Sequence, residues 1–126
     1  MRPTKSTVIK SEQTTTRSPC PVACSLDLIG DRWTLLVVRD LLLGRSRFKH
    51  FTASPEAIPT NILSDRLEKL ILHGIITRMP PPGGGKLMAY ELTEKGIALE
   101  PVLAAMRDWG LKWIEGTEVL LEGNRK

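Results

Sequence analysis

The sequence predicts a mainly α-helical fold carrying one small β-hairpin, an α+β arrangement. Three observations predict it. Apolar residues recur three and four apart in several separate segments, the spacing of a single buried helix face. Two short strand-like runs, 75–79 (IITRM) and 87–92 (LMAYEL), flank a loop of three prolines and three glycines. Gly30, Gly44 and Gly74 punctuate the helical segments where their patterns stop.

The elements follow in order. Residues 1–18 are rich in Thr, Ser and Lys and poor in large apolar side chains, so a disordered basic tail is expected. The first helix is expected to start at Pro21, which suits a first helical position, with Cys20 as its cap. Val22, Leu26 and Ile29 give its spacing, and Gly30 stops it. A second helix over about 32–43 is apolar almost all round and is expected in the middle of the core. A short third helix over about 47–51 puts Phe48 and Phe51 on one side, and the loop 53–57 follows.

The fourth helix has the clearest pattern. Leu63, Leu67, Leu70 and Ile71 form one buried stripe, while Thr60, Asn61, Ser64, Asp65 and Glu68 fall on the wet side. After the hairpin, Thr93 looks like a cap and Gly96 permits a break. A long last helix over about 98–115 carries Val102, Leu103, Met106, Trp109, Trp113 and Ile114. A hairpin this small is not stable alone and must pack on the helices. Helix, helix, short helix, helix, hairpin, long helix is the winged helix-turn-helix order. One domain is expected over 19–116, with a tail at 117–126.

Composition restricts the function. The 126 residues and 14.0 kDa suit one domain, and 41% apolar residues can fill its core without a disulfide or a structural metal. The net charge is +4, but the first nineteen residues hold four basic groups against one acidic, so little of the excess lies in the folded part. The longest apolar stretch, 33–43, is broken by Arg39 and Asp40 and is too short to span a membrane. Two cysteines and no secretory signal point to the reducing cytoplasm.

No catalytic set is visible, so an enzyme is not expected. His50 and His73 are too isolated for a metal site, and the triple glycine lacks the spacing of a phosphate-binding loop. No cofactor is expected.

The ordered pieces Cys20-Pro21-Val22, 26–36 (LDLIGDRWTLL), Arg39-Asp40-Leu41, Gly44, Arg47-Phe48, 61–67 (NILSDRL), 74–78 (GIITR), 90–96 (YELTEKG) and Trp109 carry a resemblance. The chain resembles the HxlR-type transcriptional regulators, winged-helix proteins related to the MarR-like family. The match runs over roughly 19–115. One departure is Pro59, where the family usually has a capping Ser. Loss of such a side-chain cap costs about 1 kcal/mol.

The resemblance implies a homodimer that binds double-stranded DNA at a pseudo-palindromic operator. The fourth helix would enter the major groove and read bases with Thr60, Asn61, Ser64 and Asp65. That helix is electrically balanced, Arg66 and Lys69 against Asp65 and Glu68. Affinity should therefore come from Arg45, Arg47 and Lys49 and from Arg78 and Lys86 at the wing, with Arg66 and Lys69 also within reach of phosphates. Pairing of Arg66 and Lys69 with the acids of their own helix is the competing reading.

Val22, Leu26, Leu103, Met106, Trp109 and Trp113 are the expected dimer contacts. Trp33, Trp109, Trp113 and Met106 could instead line a ligand pocket, although residues at helical spacing are more often core or interface. Cys20, at a helix start that favours the thiolate, is a candidate redox sensor, because some relatives use the matching cysteine against oxidants or electrophiles. A small-molecule or oxidant effector is thus a candidate partner. The alternative reading is a thiol-based sensor whose winged helix makes protein contacts.

Overall fold

The computed structural model describes residues 17–80, 83, 85 and 88–120. The chain divides after Arg32 into two compact units. The first contains α1 (Pro21–Ile29), which starts at Pro21 with Cys20 at the cap position. Cys20 makes no side-chain capping bond; its N–H instead donates to Ser18 Oγ at 3.0 Å. Asp27 accepts from Arg17 Nε at 2.8 Å, and the Gly30 N–H closes the helix on Leu26 O at 2.8 Å.

The second unit holds α2 (Thr34–Leu42), α3 (Phe48–Thr52), α4 (Thr60–Leu72), β1 (Ile76–Met79), β2 (Ala89–Leu92), α5 (Glu94–Ile97) and α6 (Glu100–Trp113). Its core joins Val37, Val38 and Leu41 of α2, Phe51 of α3, Ile58, the α4 stripe Leu63, Leu67 and Leu70, and Ile75 and Ile76. Two expectations need correcting here. Helix α2 is buried along one face only: Thr34, Val37, Val38, Asp40 and Leu41 fall on one side at the helical repeat, and Leu35, Leu36 and Leu42 on the rest of the helix are half-buried. Ile71 is half-buried, at the edge of the α4 stripe.

Helix α4 is closed at its C-terminal end by a left-handed glycine. Gly74 has φ +73, its N–H donates to Ile71 O at 3.0 Å, and the Ile75 N–H donates to Leu70 O at 2.9 Å. This paired closure satisfies carbonyls that the helix end would otherwise orphan. The next elements hold the same end. The Thr93 hydroxyl donates to Gly74 O at 2.6 Å, and Lys95 Nζ donates to His73 O at 2.7 Å. Gly96 packs so tightly here that a Cβ would lie 2.3 Å from Ile75 O. The far end of α4 is thereby held against the elements that follow it.

The strands pair antiparallel from Ile76↔Leu92 to Met79↔Ala89. A third strand-like piece escaped the sequence reading. Arg47 bridges Ala89, and the Tyr90 N–H donates to Ser46 O at 2.8 Å. This contact ties the start of α3 to the wing. Ser46-Arg47 has no apolar alternation, so nothing in the local pattern announced it.

The expected helix over 98–115 is shorter. Thr93 caps α5 by accepting the Gly96 N–H at 3.1 Å, and the chain restarts as α6 at Glu100. Pro101 explains the restart: it has no N–H to bond back into α5 and fits only a first helical turn. At the other end Ile114 is already extended. Among the described residues no helix is long and apolar enough to cross a membrane. Lys86 and the tail residues 1–16 and 121–126 lie outside the described residues.

Candidate nucleic-acid interface

Thr60, Asn61, Ser64 and Asp65 are all exposed, on a side of α4 about a third of a turn round from the buried stripe Leu63, Leu67 and Leu70. Helix periodicity alone produces this separation. Pro59 occupies the cap position with extended backbone and no side-chain cap. Thr60 is therefore the first helical residue, and the N-cap residue gives the first N–H groups of α4 no side-chain bond. An uncapped helix start carries donors and partial positive charge suited to an anion such as a phosphate.

The loop entering α4 is held by a charged network. Arg39 on α2 donates to both Glu56 oxygens, at 2.9 and 2.8 Å, and its Nε donates to Asp40 Oδ1 at 3.0 Å. The Ser54 hydroxyl donates to the other oxygen of the buried Asp40 at 2.5 Å. Burial lowers the Arg39 pKa, but its bonds and charges with Glu56 and Asp40 outweigh that and raise it. The Arg39 bond pulls the Glu56 carboxyl below its ordinary value. The loop also contains Ala57 at φ +55, a left-handed conformation that a residue with a Cβ resists. Sequence reasoning missed this network. Its one visible trace was the Arg39-Asp40 pair interrupting an apolar stretch.

The expected phosphate contacts separate into groups. Arg47 is half-buried, Lys49 and Lys69 are exposed, and none of the three makes a salt bridge among the described residues. Arg66 lies 2.5 Å from Asp65, as the competing reading anticipated. Glu68 pairs not with Lys69 but with Arg78 of β1, at 2.6 Å, and Arg78 also stands 6.0 Å from the Tyr90 ring. Arg45 is half-buried, and its Nη1 is enclosed with no hydrogen-bond partner.

His50 has a role that its isolation in sequence did not suggest. Its Nδ1 accepts the N–H groups of Ser46 at 3.2 Å and Arg47 at 3.1 Å. An accepting Nδ1 carries no proton, so the ring is the neutral form with its proton on Nε2. Desolvation, then the charges of Lys49, Arg47 and Arg45, push its pKa down. The imidazole thus fixes the segment that bridges to the wing.

The expected dimer contacts are largely exposed. Val22 and Leu26 on α1 are 66% and 55% accessible, and Met106, Trp109 and Trp113 on α6 are 53%, 61% and 64% accessible. Leu103 is half-buried and lines a cleft of about 560 Å³ between α6, Leu42 and Leu43, and the loop at Pro55 and Glu56. None of the tryptophans lines that cleft, whereas Met106 does. Both cysteines are free; Cys20 is exposed, and the Cys24 thiol donates to Ser18 O at 3.1 Å. Among the described residues no group of His, Cys, Asp or Glu is placed to hold a metal.

Comparison with known proteins agrees with this geometry. Residues 28–118 match the family model described as HxlR-like helix-turn-helix. The chain is 35% identical over 91 residues to the uncharacterised HTH-type transcriptional regulator YvaP of Bacillus subtilis strain 168, covering 72% of this chain and 84% of YvaP. The crystal structure of PA1607 superimposes with a TM-score of 0.75 at 38% identity, covering 92% of this chain and 81% of that one. The redox regulator HypR in its oxidised form superimposes with a TM-score of 0.68 at 31% identity, covering 79% and 100%. The chain belongs to the HxlR-like helix-turn-helix family and is a winged helix-turn-helix, DNA-binding transcription regulator.

Proposed function

We propose that the chain acts as a cytoplasmic homodimer on a pseudo-palindromic duplex operator. The observation that carries this reading is the exposed row Thr60, Asn61, Ser64 and Asp65 at the uncapped start of a helix whose far end is fixed. A helix presented this way fits the major groove and reads base edges with its first turns. Arg47, Lys49 and Lys69 supply the first phosphate contacts, and Arg45, Arg66, Arg78 and Lys86 complete the set. Arg66 and Arg78 must exchange their carboxylate partners for phosphates, which lowers the net gain from each.

Val22, Leu26, Met106, Trp109 and Trp113 form the dimer contacts, whereas Leu103, also expected there, lines the cleft. Exposed tryptophans in this number suit a buried interface better than a wet surface. Dimer symmetry then sets the half-sites about 34 Å apart. Selection of bound duplexes from a random pool, followed by footprinting, tests the reading. It predicts an inverted repeat with one helical turn between half-site centres; recovery of unrelated sequences contradicts it.

A second reading adds thiol sensing at Cys20. The exposed thiol at the start of α1 supports it, as does similarity to a protein described as a redox regulator. Peroxide or diamide should change operator affinity in the wild type and leave Cys20→Ser unaffected.

A further inference from the structure

Helix α6 has two apolar faces, and dimerisation accounts for one. At 3.6 residues per turn, Val102, Met106, Trp109 and Trp113 share a face, while Leu103, Ala104, Arg107 and Leu111 share another. The second face looks into the 560 Å³ cleft, a volume within the range of small-molecule sites. Residues 117–120 form a further wall, turned back by the Thr117 hydroxyl, which lies 2.9 Å from Ile114 O.

The charges around this cleft are unequal. Both its cations are already engaged, Arg39 by Glu56 and Asp40, and Arg107 by Asp108 at 3.0 Å. Two of its carboxylates, Glu100 and Glu118, have no ion-pair partner among the described residues. An apolar chamber with unpaired acids at its walls complements an organic cation and repels an organic anion.

The cleft also touches the entry to α4. Glu56 lines it while holding Arg39, and the next residue is the left-handed Ala57. We propose that this cleft binds an apolar organic cation, and that its occupancy works against DNA binding. The ligand's charge competes with Arg39 for Glu56. A loop released from Arg39 no longer fixes the start of α4. The second half of the proposal rests on the DNA-binding function proposed above. A ligand shifts the equilibrium only by its difference in affinity for the two loop states, and the coupling is reciprocal.

Tetraphenylphosphonium and tetraphenylborate, equal in shape and opposite in charge, separate the possibilities by titration calorimetry on the full chain. Tetraphenylphosphonium is expected to bind once per chain, at least tenfold tighter than the borate. Glu100→Gln with Glu118→Gln should weaken it about tenfold, and Ala104→Phe, which fills the cleft, should abolish it. Equal binding of the two probes, no binding of the cation, or undiminished binding by the charge variant overturns the site. In a duplex-binding assay the cation should weaken the wild type and leave Ala104→Phe unchanged. Unchanged wild-type affinity, with the cation bound, overturns the coupling. Failure of the apo protein to bind any duplex would count against the DNA reading, while the calorimetric result would still decide the site.

Discussion

Arg39 on α2 grips Glu56, three residues before the N-cap of α4, through two hydrogen bonds of 2.9 and 2.8 Å. This pair holds the loop that leads into α4. Glu56→Gln should cost about 1 kcal/mol, since the pair is partly exposed. Arg39→Ala should cost about 3 kcal/mol, because it also removes a donor from the buried Asp40. Urea denaturation measures both, and equal small losses would contradict the assignment.

Ala57 stores backbone strain beside that pair. At φ +55 a Cβ is disfavoured, so Ala57→Gly should stabilise by about 0.5–1 kcal/mol after glycine's added chain entropy. Ala57→Val should destabilise. Thermal unfolding of the two variants reads the difference in sign.

His50 should make stability depend on pH. Its folded pKa lies below the ordinary 6.5, so the folded state binds fewer protons than the unfolded one. Its contribution is complete above 6.5 and is lost as pH falls through the depressed value. The urea midpoint should therefore drop between pH 7.5 and pH 5 by more in the wild type than in His50→Gln. An equal drop in both would remove the role given to Nδ1.

Glu68 restrains Arg78 across the helix–wing junction at 2.6 Å. Glu68→Gln should free that guanidinium for phosphate. Affinity should rise for all duplexes alike, and the salt slope should steepen by about 0.9. Gel-shift titrations at several salt concentrations check this.

The elements that local pattern controls were legible in the sequence. The α4 stripe, the Pro21 start and the Gly74 stop follow from helix periodicity and from the chemistry of proline and glycine. The wet face Thr60, Asn61, Ser64 and Asp65 followed as the complement of that stripe. What escaped depends on partners distant in the chain. Arg39–Glu56 spans 17 residues, Ser54–Asp40 spans 14, and the Ser46–Tyr90 contact joins α3 to the wing. The pairing of Glu68 with Arg78 was missed for the same reason, since spacing within a helix cannot anticipate a partner on a strand. Pro101 was visible in sequence, yet its restart of α6 was not drawn from it.

The most direct test compares the wild type with an Asn61→Ala/Ser64→Ala double variant on the selected operator and on unrelated duplex, at fixed salt. The account predicts that the variant loses about 1–3 kcal/mol on the operator and nothing measurable on unrelated DNA, because exposed side chains of α4 read bases while the flanking cations hold phosphates. Equal losses on both duplexes, or no loss on either, would contradict it.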